Sequence, residues 1–336
     1  MTQKHLFIID PLEKLNLELD SSLRMAYSLS SAGAEIHFTT VDKISWSSGY
    51  SHPTAQTQPL LFGEGAASAR AGHPEKMLLS DYQCIHMRKD PPFDLNYIAV
   101  TWILSALPPT TKVLNAPDAL RSFNEKLLIM HYPEFRDEVI VSSDPADMLD
   151  FIIENCNNSA VLKPLDLYAG KGILKLEVSP LAKPLAGATS SSSPDILSQK
   201  QALNVLEKET NSGQIKKIIQ PYNPAITKGE IRAFAAGGEA VSYCLKVPKE
   251  GSFLANTGSG ANLEPFDPPE HIENMVNKVA KDLLRHGVFL VGLDIIGSFI
   301  SEINITSPRL LLPPGTDDEP FYNVLADKIL EFASPN

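Results

Sequence analysis

Apolar and polar positions alternate along the chain in short blocks. The run 5–10 is apolar in its middle and closed by Asp10 and Pro11, which predicts a strand. Asp20, Ser21 and Ser22 can cap a helix reaching about Ala32, which Gly33 ends, and 35–40 reads as a second strand. A strand-helix-strand opening favours a parallel sheet with helices on its faces. Residues 45–76 lose the pattern. They are rich in Ser, Gly, Ala, Pro and Gln, and are expected to form a long surface excursion. Strands are expected at 84–88 and 112–115, with a helix over 94–107 between them, stopped by Pro108 and Pro109. A helix over 118–131 follows.

Further on, the pattern predicts strands at 139–141, 160–164, 173–178, 217–220, 230–236 and 240–247, and helices over 145–156 and 196–210. Residues 179–195, with Ser190 to Ser193 unbroken, read as a solvated loop. Ile272, Met275, Val276, Val279 and Leu283 make an apolar stripe on a helix over 271–285. The runs 288–296 and 299–305 are expected to pair antiparallel about the turn Gly297-Ser298, and a last helix covers 321–332. No internal repeat is visible.

Composition narrows the class. The 336 residues carry 29 Lys plus Arg against 40 Asp plus Glu, a net charge of −11. That balance argues against nucleic acid, which calls for a basic face, and against a polybasic membrane anchor. No apolar stretch reaches the length of a membrane span. The first apolar run is too short for a signal peptide, and Cys84, Cys156 and Cys244 form no CxxC pair, so a reducing cytoplasm is expected. The eight histidines show no metal-ligand spacing, and no P-loop, HExxH, GxSxG or GxGxxG motif is present.

Chemistry must therefore come from dispersed residues. Asp294 interrupts an apolar strand, and Glu302 and Asn304 stand two apart on the next, so they share a face. Across a tight hairpin Asp294 can fall on that side too, and three oxygen donors suit Mg²⁺ bridging nucleotide phosphates. The plainer reading is a solvated acidic face, but a carboxylate inside a buried apolar run is costly without a partner. Lys126 and Lys163 taken singly read as snorkelling surface lysines; beside the acidic set they become candidate phosphate contacts. Gln220, Pro221 and Tyr222 form a strand edge whose backbone could meet a purine.

These residues sit in a recognisable order. Asn124-Glu125-Lys126, Leu162-Lys163-Pro164, Gln220-x-Tyr222, Arg232, the run GLDIIG from Gly292 and the run EINITSP from Glu302 resemble bacterial glutathione synthetase, an ATP-grasp ligase. In the front half, Asp10-Pro11, Asp20-Ser21-Ser22 and the block MRKDPPFD from Met87 to Asp94 are similar to that family's motifs. The resemblance covers nearly the whole chain. It implies an ATP-grasp fold of α/β and α+β character with an N-terminal parallel-sheet domain. The expected units are a substrate-binding domain at 1–118, a central lid subdomain at 119–215 and a C-terminal subdomain at 216–336. It further implies ATP as co-substrate, held by Lys126, Lys163, Gly170, Lys171, Gln220, Pro221 and Tyr222. Mg²⁺, with Mn²⁺ as a substitute, would sit on Asp294, Glu302 and Asn304. Arg232, Lys246 and Asn256 would serve catalysis, and Asp20, Ser21, Arg88 and Ser307 would bind substrate. The implied reaction joins γ-glutamylcysteine to glycine through an acyl phosphate. The implied partners are ATP, an acidic dipeptide and an amino acid, and a homo-oligomer is an expectation from the family's habit.

Three departures keep alternatives open. The glycine-rich lid of the family, roughly DGxGG, is here Asp166-Leu167-Tyr168-Ala169-Gly170-Lys171-Gly172, and side chains can block close backbone approach to phosphates. Lys246 and Leu254 stand where the family has arginine; lysine loses the fork geometry and leucine the charge as well. The tail after Pro308 also differs. A related ligase with another carboxylate and amine, or a catalytically weak nucleotide-binding relative, are the other readings.

Overall fold

The computed structural model describes residues 2–168, 170–180 and 196–334, arranged around three β-sheets. The first contains β1 (Lys4–Ile8), β2 (Glu35–Thr39), β3 (Ile44–Ser45), β4 (Thr54–Gly63), β5 (Gly65–Ala71), β6 (Glu75–Leu78), β7 (Cys84–Met87) and β8 (Lys112–Leu114). Its order is β3-β4-β2-β1-β7-β8, and β5 and β6 also pair with β4. The β2-β1-β7-β8 part is parallel, as the opening pattern predicts. Helices α1 (Ser21–Ser31), α2 (Leu95–Leu104) and α3 (Pro117–Ser122) accompany it. Asp20 caps α1 by accepting from the amides of Ser22 and Leu23.

Two expectations fail here. Residues 45–76 are not an excursion but a set of strands built on β4. Their composition hides this because the inward positions Thr54, Ala55 and Thr57 are small or polar, and the threonines find partners at Ser45 and Tyr82. The helix expected over 118–131 stops at Ser122 and resumes only as a 3₁₀ turn at Leu128–His131. The Asn124 side chain accepts from the amides of Lys126 and Leu127 and competes with the helical bonds.

The second sheet comprises β9 (Ile140–Ser142), β10 (Ser159–Pro164), β11 (Leu174–Val178), β12 (Ile196–Leu197) and β13 (Lys217–Pro221), in the order β12-β11-β10-β13-β9. Helices α4 (Pro145–Asn155) and α5 (Gln199–Glu209) cover one face, burying Met148, Ile152, Ala202 and Leu206 against Leu162 and Ile219. The alternate positions Val161, Lys163 and Gln220 are left for the opposite face. Most of the loop expected at 179–195 lies outside the described residues, as does Ala169.

The third sheet comprises β14 (Glu230–Ala236), β15 (Glu239–Val247), β16 (Asn262–Pro265), β17 (Leu290–Ile296) and β18 (Phe299–Asn304), in the order β16-β15-β14-β17-β18, all neighbours antiparallel. Gly297, at φ 65°, makes the β17–β18 turn. Helix α6 (Glu270–Arg285) lays its apolar stripe on the face of Ile231, Ala233, Leu293 and Ile303. Helix α7 (Glu319–Ala333) packs with α1 and with Phe234 and Leu290 at one end of the other face. The remainder of that face meets the second sheet across a cleft. Among the described residues no helix is long and apolar enough to cross a membrane.

Candidate active site

The cleft is walled by the third sheet's polar face. Register explains the row of charge: on this face Arg232 pairs with Asp294, Asp294 with Glu302, and Glu230 with Lys246. Four neighbouring strands thus bring their charged side chains side by side. The Asp294 carboxylate accepts from Lys246 Nζ at 2.6 Å and Arg232 Nη1 at 3.0 Å, while Asn304 Nδ2 donates to it at 3.0 Å. Lys246 Nζ also lies 2.5 Å from Glu230. Gly292 lets Arg232 reach this position, because a Cβ there would stand 3.1 Å from Nη1.

Burial shapes the protonation of this cluster. It pushes the Asp294 carboxyl up, but Arg232 and Lys246 outweigh it and hold the group below the ordinary carboxylate range. Burial likewise opposes charge on Lys246, and Asp294 and Glu230 overcome that and raise its pKa. Glu230 is raised, burial exceeding the help from Lys246.

Opposite, Lys163 extends from β10, buried at 9% exposure, with Nζ 3.3 Å from the Ser301 carbonyl. Desolvation lowers its pKa, against the pull of Glu302 and Glu230. Gln220, Pro221 and Tyr222 line the same cleft, and Lys175 stands over the Tyr222 ring at 3.8 Å. Gly170 and Asn256 face each other across it, 3.7 Å separating the Asn256 amide nitrogen from where a Gly170 Cβ would be. Asn256 Oδ1 accepts from the Gly258 amide. Leu254 and Phe253 give this wall an apolar stretch.

Other expected residues sit apart. Lys126 approaches from behind Glu302, 3.4 Å from it, and donates to the Leu167 carbonyl at 2.5 Å. Lys171 folds over the Tyr168 ring at 4.6 Å. Asp20, Ser21, Arg88 and Ser307 gather at the end of the first sheet. Arg88 Nε donates to Ser22 Oγ at 3.1 Å, Ser307 Oγ donates to the Arg88 carbonyl at 3.3 Å, and Ser21 Oγ donates to the Leu310 carbonyl at 3.3 Å. Asp20 spends one carboxylate oxygen on the α1 cap. Among the described residues Arg88 Nη1 is buried without a partner, and an anionic group would satisfy it.

Sequence reasoning missed Glu125 and Glu230. Glu125 accepts from the amides of Ile305 and Thr306, both at 2.8 Å, and so fixes the chain just past Asn304. Burial and Glu302 raise its pKa. It stands beside Lys126 in the quoted motif, which was the available signal.

The metal donors fit a hard cation. Glu302 and Asn304 line the cleft, while both Asp294 oxygens are engaged by cations and Asn304. A divalent ion here would rest on Glu302 and Asn304 and share Asp294.

The second sheet faces the charged third sheet across the cleft, and solved structures share this fold. The chain superposes on the D-cycloserine synthetase DcsG with a TM-score of 0.64, at 12% identity and covering 98% of this chain and 100% of that one. On a Chryseobacterium gregarium RiPP-associated ATP-grasp ligase in complex with ADP and a leader and core peptide the score is 0.62, at 15% identity, covering 100% and 98%. The protein thus has the ATP-grasp fold. More closely, residues 3–121 match prokaryotic glutathione synthetase, N-terminal domain, and 125–181 and 179–312 match prokaryotic glutathione synthetase, ATP-grasp domain. The glutathione synthetase of Ralstonia nicotianae is 31% identical over 305 residues, covering 90% of this chain and 87% of that protein. That of Vibrio vulnificus is 31% identical over 307 residues, covering 90% and 89%. The chain belongs to the prokaryotic glutathione synthetase family.

Proposed function

We propose that the protein joins γ-glutamylcysteine to glycine with cleavage of ATP. The observation that carries this reading is the cleft in which Arg232, Lys246 and Lys163 surround the Asp294–Glu302 pair. In the reaction a carboxylate oxygen of the dipeptide attacks the γ-phosphorus and ADP leaves. The glycine amine then attacks the acyl carbon, phosphate leaves, and the amine gives up a proton. The protein's work is to orient these groups and to balance charge as it shifts. Lys163, with Lys126 behind it, faces the phosphates, together with Gly170 and Lys171 of the lid loop. Gln220, Pro221 and Tyr222 border the adenine. Arg232 and Lys246 steady the acyl phosphate, and Asn256 holds the wall opposite Gly170. The buried guanidinium of Arg88, with Asp20, Ser21 and Ser307 nearby, takes the dipeptide's ionic end. Mg²⁺, or Mn²⁺ in its place, would be held by Glu302, Asn304 and Asp294 and would supply charge neutralisation at the phosphates. Of the expected units 1–118, 119–215 and 216–336, the second is taken on to Pro221, because β13 pairs within the second sheet, and a reducing compartment suits the three free cysteines.

The test is phosphate release from Mg-ATP. Release that depends on both γ-glutamylcysteine and glycine is the expected result. Leu254, apolar where the family has arginine, supports a second reading, a ligase for another carboxylate and amine. Phosphate release only with other dipeptide–amine pairs would favour that reading. Nucleotide binding without turnover on any pair would overturn both.

A further inference from the structure

Away from the cleft, the first sheet brings together His5, Cys84 and His86. His5 lies opposite Cys84 in the parallel β1–β7 pairing, and His86 is two residues further along β7, so all three share a face. All are 0% exposed. One donor atom from each lies within 4.8 Å of the others, and His5 Nδ1 is 3.0 Å from His86 Nε2. No spacing along the chain marks this set, because His5 lies 81 positions from His86.

Hydrogen bonds orient the donors. Gln3 Nε2 donates to the Leu330 carbonyl, which turns Gln3 Oε1 toward His5 Nε2 at 3.0 Å. His5 Nε2 therefore carries the proton, and its Nδ1 lone pair points inward at His86. An amide holding the outer nitrogen of an imidazole is the usual support of a metal-bound histidine. Phe7 stacks flat on the His86 ring, 4.1 Å between centroids. Among the described residues His86 Nδ1 has no partner.

We propose that His5 Nδ1, His86 Nε2 and Cys84 Sγ form a site for one monovalent copper ion. Two imidazoles and a thiol are a soft donor set of the kind copper selects. Charge decides between copper(I) and zinc. Binding moves the His86 proton from Nε2 to Nδ1 and releases the Cys84 thiol proton. One Cu⁺ and one thiolate leave the site neutral, which a dry core tolerates, whereas Zn²⁺ would leave a net positive charge there. No oxidant or reductant is consumed. Burial already keeps both imidazoles neutral, and the charge of nearby Arg88 also disfavours further positive charge at His86.

The test is anaerobic titration of the full-length protein with the coloured Cu⁺–bicinchoninate complex, alongside copper analysis of protein from copper-supplemented cultures. One copper per chain and X-ray absorption showing one sulfur and two nitrogens are expected. Cys84→Ala should weaken Cu⁺ binding by more than about 100-fold, beyond the loss of an outer partner, while phosphate release by the ligase is unchanged. Absence of copper in both experiments, a donor set without sulfur, or tighter retention of Zn²⁺ than of Cu⁺ would overturn the assignment. If Cys84→Ala does not fold, the wild-type absorption spectrum decides alone.

Discussion

The third and first sheets each bury a polar cluster, and they handle charge in opposite ways. On the third sheet, Asp294 is kept ionised because Arg232 and Lys246 lie at 3.0 and 2.6 Å and repay its desolvation. On the first sheet, His5 and His86 have no counter-ion among their bonded neighbours and are held neutral, with His5 lowered to about 4 by burial. A site for anionic reactants needs fixed charge. A site for a soft cation needs donors that carry no proton on the ligating atom.

The largest expected effect comes from unbalancing the charged cluster. Asp294→Ala leaves Arg232 buried without that partner and Lys246 with Glu230 only, and should cost about 3–5 kcal/mol of stability. It should also abolish turnover. Urea unfolding would reveal it as a lower midpoint at constant slope; a loss under about 1 kcal/mol would mean that the cluster is not held by charge balance.

The next effect separates the two regions by pH. His5 in the metal-free protein stays neutral while the unfolded chain takes up a proton below the ordinary histidine value of 6.5, so stability is lost as pH falls toward about 4. The shift corresponds to about 3 kcal/mol. Asp294 is lowered as well, but from the ordinary carboxylate value of 3.8, so its contribution is lost only as pH falls below that value. Denaturation curves at pH 7 and pH 4.5 should therefore show a drop of which His5→Gln removes the His5 share and leaves that of His86, while the Asp294 pairs stay intact.

Smaller still is the folding cost of Glu302→Ala, below about 1 kcal/mol, because its ion pair with Lys126 is partly exposed and long. Turnover should nonetheless be lost and recover in part at raised Mg²⁺. Unchanged activity would remove Glu302 from the metal set. Least is Leu254→Arg, which adds a guanidinium to the cleft wall. It should lower the KM for ATP less than about tenfold, the worth of one charge-assisted hydrogen bond. An unchanged or higher KM would show that this wall receives an apolar group.

Legibility follows the range of the interaction. The strands β14, β17 and β18, the α6 stripe and the spacing of Glu302 and Asn304 are set by alternation within a few residues and could be read directly. The β4 ladder could not, because its small and polar inward residues are satisfied only by Ser45 and Tyr82. Nor could Glu125, whose amide partners lie 180 and 181 positions away.

By itself the sequence determined the periodicities, the turns, the order of motifs and, through them, the family and the side chains available for chemistry. Tertiary structure decided which of these act together. It placed Lys246 on Asp294 rather than free in the cleft, Lys126 behind Glu302, Arg88 in a separate buried cluster, and His5 against Cys84 and His86. Side-chain period fixes which face of a strand a residue occupies, but only the pairing of distant strands sets its neighbours, and the burial and charge of those neighbours set its protonation.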